Sequence, residues 1–287
     1  MTANGPQKAV SPEPSESLQS GQQRRLVQRW EDGVECQLED ELVTETAIAF
    51  VYNGISHAVM MASPMNLQDF ALGFSLSESV LRNVSEMYSL SVDETEAGIQ
   101  LNMEIASQRF AALKDRRRSL AGVSGCGLCG AESLQDVQKP VTALSSNLEE
   151  LQPVALESVH KALADFESMQ ATRASTGAIH AAAWCRPDGT IACVREDLGR
   201  HNAVDKVVGA LFKEGWNTGQ GFLLLSSRIS FEIVQKAAVL GITNIVAASA
   251  PSTLAVDLAN RHHISLAGRL SERRITLYTD AKGVILS

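Results

Sequence analysis

Apolar positions along this chain repeat with two different periods, and each change of period marks an element. In "EDELVTETAIAFVYNGISHAVMMAS", β-branched and aromatic residues flank Asn53-Gly54. That dipeptide best tolerates positive φ at both turn positions, so the stretch predicts a β-hairpin. The period then lengthens. Leu67, Phe70, Ala71 and Phe74 recur at i, i+3, i+4 and i+7 and predict a helix with one apolar stripe. Residues 86–105 predict two short strands. "LESVHKALADFESMQ" sets Leu156, Val159, Leu163 and Phe166 on one helical face, a helix expected to link an N-terminal part to a C-terminal one.

The C-terminal pattern is the clearest. "AIHAAAWC" and "TIACVRE" are strands joined by a turn on Pro187-Asp188-Gly189, and "HNAVDKVVGALF" is a helix with Val204, Val207, Val208 and Leu211 inward. "GFLLLSS" and "TNIVAAS" are unbroken apolar runs of the buried-strand type. "SFEIVQKAAVLG" is a helix with Ser230 at its N-cap and Gly241 just past its end, and "PSTLAVDLAN" is another with Pro251 in its first turn. "ISLAG" and "RITLYT" are the last strands. Strands alternating with helices predict an α/β architecture: a mixed, mostly parallel C-terminal sheet covered on both faces, plus a smaller α+β N-terminal part. Ligands in such sheets sit beyond the strand C-termini, where "SSRIS" and "SAPST" emerge.

Composition narrows this picture. The 287 residues suit one or two domains, and 45 % hydrophobic with 20 % charged residues is ordinary for a soluble globular chain. No run approaches the roughly 20 apolar residues of a membrane span, so no membrane embedding is expected. The first 23 residues hold no apolar signal-type run and are rich in Pro, Ser, Gln and Glu; residues 1–25 are expected to form a disordered tail in a cytoplasmic protein. The expected division is therefore a tail (1–25), an N-terminal part (26–150) carrying a glycine-rich loop (122–130), and an α/β domain (151–287). A net charge of −8 argues against general nucleic-acid binding, leaving "KDRRRS" and "RLSERR" as the two basic clusters.

The candidate chemistry lies in "AGVSGCGLCGAES". Cys126 and Cys129 form a CxxC pair punctuated by Gly122, Gly125, Gly127 and Gly130. Closed zinc sites take four ligands in two pairs, and Cys185 and Cys193 do not supply a second knuckle. A thioredoxin-type disulfide opens a helix directly after a buried strand, and no such unit surrounds this pair. A persulfide carrier holds a terminal sulfur as Cys-S-SH on a loop that reaches two partners in turn, with arginines such as those at 116–118 lowering the thiol pKa. The glycine-rich loop suits the carrier best, yet spacing alone leaves all three readings open.

"GCGLCG", "TGAIHAAAW", "REDLGRHNAVDKVVG", "SSRISFEIVQKAA" and "SAPSTLAVDLA" follow one another as in the FdhD/NarQ family, which the chain resembles from about residue 30 to 280. The resemblance implies a formate dehydrogenase accessory sulfurtransferase with a cytidine deaminase-like C-terminal domain. It implies that Cys126 carries a persulfide received from a cysteine desulfurase, with Cys129 auxiliary. The sulfur would pass to the molybdenum cofactor, bis-molybdopterin guanine dinucleotide, before insertion into the formate dehydrogenase apoprotein. The family segment that binds this guanine-nucleotide-containing cofactor maps onto Arg269, Leu270, Ser271, Glu272, Arg273 and Arg274. A homodimer is also implied; a permanent metal is not. Two departures are visible: Ser227-Arg228 stands where the family commonly has Gly-Arg, and "RLSE" replaces an aromatic-led run. Deamination is not expected, because His180-Ala181-Ala182 lacks the glutamate of H-x-E. The alternative from another class is a cofactor-binding chaperone with idle cysteines.

Among single residues, His201 is expected at a helix start, either shaping the cofactor pocket or joining Arg200, Asn202 and Asp205 in a capping cluster. His180 is expected to be a satisfied core histidine, His262 and His263 to end a helix, and Cys36, Cys185 and Cys193 to act as small hydrophobes.

Overall fold

The computed structural model describes residues 21–120, 154–271 and 274–280. Expectations for the tail up to residue 20, for the loop with Cys126 and Cys129, and for Glu272 and Arg273 lie outside the described residues. The predicted hairpin is present as β3 (Thr46–Tyr52) and β4 (Ile55–Ala62). Its two turn residues, Asn53 and Gly54, take φ of 47° and 77°, the left-handed pair that matches strand twist. The Asn53 amide also donates to and accepts from the Ile105 backbone at 3.1 and 2.7 Å, tying the turn to the next strand pair. That pair is β5 (Met87–Thr95) and β6 (Gly98–Ile105), and the four strands form a sheet in the order β4-β3-β6-β5.

Helix α1 (Leu67–Ser77) packs on this sheet, with Phe50 and Phe74 stacked at 4.1 Å and Phe70 edge-on to Phe50 at 5.0 Å. The next described elements are α2 (Ser107–Leu120), α3 (Leu156–Ser168) and α4 (Ala171–Thr176). In α3 the inward residues are Val159, Ala162 and Phe166, while Leu156 and Leu163 are only half-buried.

A six-stranded sheet follows, made of β7 (His180–Cys185), β8 (Ile191–Asp197), β9 (Phe222–Leu225), β10 (Asn244–Ala247), β11 (Ser265–Ser271) and β12 (Arg274–Thr279). Its order is β12-β11-β10-β9-β7-β8. Between its strands run α5 (Arg200–Lys213), α6 (Phe231–Leu240) and α7 (Thr253–Arg261). The three central strands are parallel, as the unbroken apolar runs predict, and are buried on both faces. The flanking pairs β7–β8, β7–β9 and β11–β12 are antiparallel. Four strands therefore share a direction, but the sheet is mixed in its pairings.

One continuous apolar cluster runs from β3 and β6 through α1 to α5, α6 and one face of the large sheet. A second cluster seats α3 against the opposite face. Where α1 and α5 cross, each presents a glycine to the other's backbone. A Cβ on Gly73 would sit 1.7 Å from the Asp205 carbonyl oxygen, and one on Gly209 1.8 Å from that of Asp69. No larger side chain fits at this closeness.

Several expectations are corrected. Gln22–Arg25 belong not to a tail but to β1 (Gln22–Glu31), which pairs with β2 (Val34–Val43) in a separate two-stranded ribbon. Its turn is Asp32-Gly33 at φ 52° and 81°, a hairpin dipeptide that signalled the ribbon despite its polar strands. Cys36 is exposed on this ribbon, so it is no core hydrophobe, whereas Cys185 is buried. Helix α2 had no clear signal, since "SQRFAALKDRRRSL" offers few apolar positions. Pro251 precedes the cap instead of opening the helix: the Ser252 hydroxyl accepts from the Ala255 amide, and Pro251 bridges to Ile229. Ser230 does hold the N-cap position of α6 and Gly241 the left-handed C-cap.

Candidate functional site

The motif "REDLGRHNAVDK" spans the end of β8 and the start of α5, and most of its side chains have structural partners. The Arg195 guanidinium donates to Asp69 at 2.7 and 2.9 Å. Glu196 accepts from the backbone amides of Thr172 and Arg173, both at 2.9 Å, which fastens the start of α4. Asp197 is fully buried and accepts from Lys206 (2.6 Å), Asn202 (2.9 Å), the Gly199 amide (2.8 Å), and both the amide and hydroxyl of Ser63. Lys206 also donates to the Ser63 carbonyl and hydroxyl. Burial lowers the Lys206 amine below its usual value, with Asp197 opposing. This network pins the turn before α5 to the end of β4.

A neighbouring network does the same one turn along. Lys236 on α6 reaches Asp205, Ser77 and Glu78 at 2.8–2.9 Å. Burial works against its ammonium, but Asp205 and Glu78 outweigh burial and hold it charged. Such buried pairs with several hydrogen bonds hold geometry more than they add net stability.

What the motif leaves over is Arg200. Its Nε is buried and has no hydrogen-bond partner among the described residues. The surroundings of Arg200 follow from topology. Strands β8, β9, β10 and β11 end at one edge of the sheet, and the antiparallel strands β7 and β12 begin there. His180 opens β7 opposite Asp197. The Ser226 amide donates to Ala181 and its hydroxyl accepts from the Ala181 amide, bringing the β9 end and Arg228 alongside.

His180 is thus half-buried at a sheet edge, not a core histidine. Burial first, then Arg200, Arg173 and Arg228, hold its imidazole below the ordinary value, against Asp197. Next to it on α5, His201 lies 3.1 Å from the Ser230 hydroxyl and 3.7 Å from Glu232. Burial and then Arg200 bring its pKa down to about 4, with Glu232 opposing. Of the capping cluster expected around His201, only Asn202 caps the turn, by donating to Asp197. Asp205 bonds instead to Ser77 and Lys236, His201 faces Ser230 and Glu232, and the Arg200 Nε has no hydrogen-bond partner among the described residues.

Arg269, Leu270, Ser271 and Arg274 lie on the same edge. Arg269 sits in a bulge of β11 at φ 53°, a conformation that costs a non-glycine residue energy. Its amide donates to the Ser249 carbonyl at 3.2 Å, and the Arg274 Nε donates to the Arg269 carbonyl. Arg269, Ser271 and Arg274 are exposed. On a chain whose net charge is −8, Arg173, Arg200 and Arg228 surround His180, while Arg269 and Arg274 lie at the same end of the sheet on β11 and β12. Guanidiniums in this number suit phosphate or carboxylate groups, which they bind through paired N–H donors.

A model of the FdhD/NarQ family matches residues 43–285. The chain belongs to that family. A sulfur carrier protein FdhD from Cupriavidus necator is 48 % identical over 242 residues, covering 84 % of this chain and 83 % of that protein. A crystal structure from Desulfotalea psychrophila, assigned as a formate dehydrogenase accessory protein, superposes with a TM-score of 0.72 at 18 % identity. It covers 92 % of this chain and 99 % of that one, which shows a shared fold. The span matched to FdhD/NarQ contains the Cys126–Cys129 pair and the whole arginine edge. Among the described residues no helix is long and apolar enough to cross a membrane.

Sequence reasoning singled out 269–274 but passed over Arg173, Arg200 and Arg228 as a group. They come from helix α4, the first turn of α5 and the loop after β9, and only the tertiary fold brings them together. The one available signal was "SSRIS" after a buried-strand run, the place where α/β sheets hold ligands.

Proposed function

We propose that this FdhD/NarQ chain is a sulfur carrier in formate dehydrogenase maturation, using a persulfide on Cys126. The Cys126 thiolate attacks the terminal sulfur of a persulfide held by a cysteine desulfurase. The donor's S–S bond breaks, the donor leaves as a thiolate, and the sulfur remains on Cys126 as Cys-S-SH. The recipient is the molybdenum cofactor, bis-molybdopterin guanine dinucleotide, a polyanionic substrate seated at the arginine edge with Arg269–Arg274 as one wall. The modified cofactor then goes to the formate dehydrogenase apoprotein. Cys129 assists, and no permanent metal takes part.

The observation that carries this reading is the 48 % identity to a protein named a sulfur carrier, over a span in which Cys126 and Cys129 stand as a CxxC. The arginine edge supports the cofactor half of it, because phosphate-bearing ligands need such donors. The test incubates the protein with a cysteine desulfurase and cysteine and takes an intact mass. A carrier gains one sulfur atom, loses it on reduction, and gains none as Cys126→Ala. A protein that binds cofactor without carrying sulfur gains none as wild type, and that result would overturn the proposal.

A further inference from the structure

We infer that Arg109 is a positioning residue for sulfur loading: it fixes the direction of α2 and, through it, the point from which the Cys126 segment leaves the helix. This rests on the reading of Cys126 as the sulfur carrier. The sequence of α2, "SQRFAALKDRRRSL", has no apolar stripe, so packing along its length cannot orient the helix. Leu113 is buried in the main apolar cluster and Phe110 packs against it, while Lys114 and Asp115 are already exposed. Two apolar contacts one turn apart hold the helix to the body but leave it free to swing about them. Arg109 supplies the missing constraint. Its Nε donates to the Val80 carbonyl and its Nη2 to the Ser79 carbonyl, both at 3.0 Å. The same Nε lies 3.6 Å from the Glu86 carboxylate, which accepts from the Arg82 amide at 2.7 Å. A planar fork on two successive carbonyls sets direction as well as distance.

The turn that receives the fork is itself tied to the core. The Ser79 amide donates to the Leu76 carbonyl and the Leu81 amide to that of Ser75, and the Glu78 carboxylate accepts from Lys236 at 2.8 Å. The Arg109 side chain is 13 % exposed, so it is largely withdrawn from any partner surface. Its effect at a distance is one of leverage. From Arg109 to Leu120 the helix runs about 16 Å, so a tilt of about 20° at its start moves Leu120 by about 6 Å. Cys126 lies six residues past Leu120. Such a length spans at most about 20 Å, so the helix end sets the centre of the volume that the thiol can reach. Attack of the Cys126 thiolate on the donor's terminal sulfur needs the two sulfurs aligned at about 3–3.5 Å, and a misplacement of about 1 Å can cost about a hundredfold in rate.

The test follows loading of the full chain by a cysteine desulfurase and cysteine, read by intact mass as initial rates over a range of chain concentrations. Arg109→Met removes the fork and keeps the apolar stem. Arg109→Lys keeps the charge beside Glu86 without the fork. Arg261→Met, at the end of α7, is the charge control, and a thermal melt shows whether each variant folds. Arg109→Met should lower kcat for loading roughly tenfold with KM within about twofold, and Arg109→Lys should fall between it and wild type. Arg261→Met should match wild type. Alkylation of Cys126 by iodoacetamide, read on its tryptic peptide, should keep the wild-type rate in every variant, because a small reagent needs no fixed approach. Wild-type kcat in Arg109→Met, a rise in KM in place of the fall in kcat, or alkylation slowed in step with loading would overturn the inference. Should Arg109→Met fail to fold, Arg109→Lys against wild type decides on the same readouts. A wild type that gains no sulfur overturns the carrier reading and this inference with it; a wild type that loads while the Arg109 variants load equally well overturns this inference alone.

Discussion

Replacing Gly209 by alanine puts two opposed effects at one position. Within an isolated helix, alanine is favoured over glycine by about 1 kcal/mol, so propensity alone predicts a more stable protein. At the α1–α5 crossing the added methyl meets the Asp69 carbonyl oxygen at 1.8 Å, its carbonyl carbon at 2.5 Å and its Cα at 2.8 Å. Ordinary contact begins near 3.4 Å, so the helices must separate by about 1.5 Å, and the obstacle is backbone that no rotamer change removes. Overpacking a dense core costs about 1–3 kcal/mol, and a clash with backbone falls at the upper end. After the propensity gain is subtracted, the net expectation is a loss of about 2 kcal/mol. Gly73→Ala makes the mirror-image clash with the Asp205 carbonyl oxygen at 1.7 Å, so the two changes push on one crossing. Once one has parted the helices, the second should cost less, and the double variant should lose less than the sum. Urea denaturation followed by far-UV circular dichroism measures all three. A Gly209→Ala midpoint equal to or above that of wild type would refute the steric argument.

Two further outcomes concern the networks under the arginine edge. Lys206→Met strips the fully buried Asp197 of its counter-charge while four other donors remain, and should cost about 3 kcal/mol or more in the same denaturation assay. An unchanged midpoint would mean that the pair is not closed as described. His201 has a folded pKa of about 4 against about 6.5 when unfolded, so between these values the unfolded chain binds the extra proton. The neutral form therefore stabilises the fold in full above the unfolded pKa, and that contribution is lost as pH falls toward 4. Relative to His201→Gln, wild type should lose up to about 2 kcal/mol between pH 7 and pH 5, and parallel curves for the two proteins would exclude the assignment.

Local pattern alone determined much of this protein. The Asn53-Gly54 turn, the stripe of α1, the apolar runs of β9 and β10 and the glycine after α6 were all legible, because each obeys a rule within a few residues of itself. The CxxC spacing and the family motifs likewise need no fold to be seen. Local signals were weaker for α2, and for β1–β2 they were present but easily outweighed by polar composition.

Only the tertiary structure decided what the long motif is for. In "REDLGRHNAVDK", Arg195, Glu196, Asp197, Asn202 and Lys206 turn out to hold elements together, and the partners that reveal this, Asp69, Thr172 and Ser63, lie 24 to 143 residues away. The same holds for the edge. Arg173, Arg200 and Arg228 carry no shared spacing, and they meet because β7 runs antiparallel between β8 and β9. A side chain's chemistry is written in its own residue, but its freedom to act depends on which distant groups have already claimed it. For Arg200, the buried Nε has no hydrogen-bond partner among the described residues.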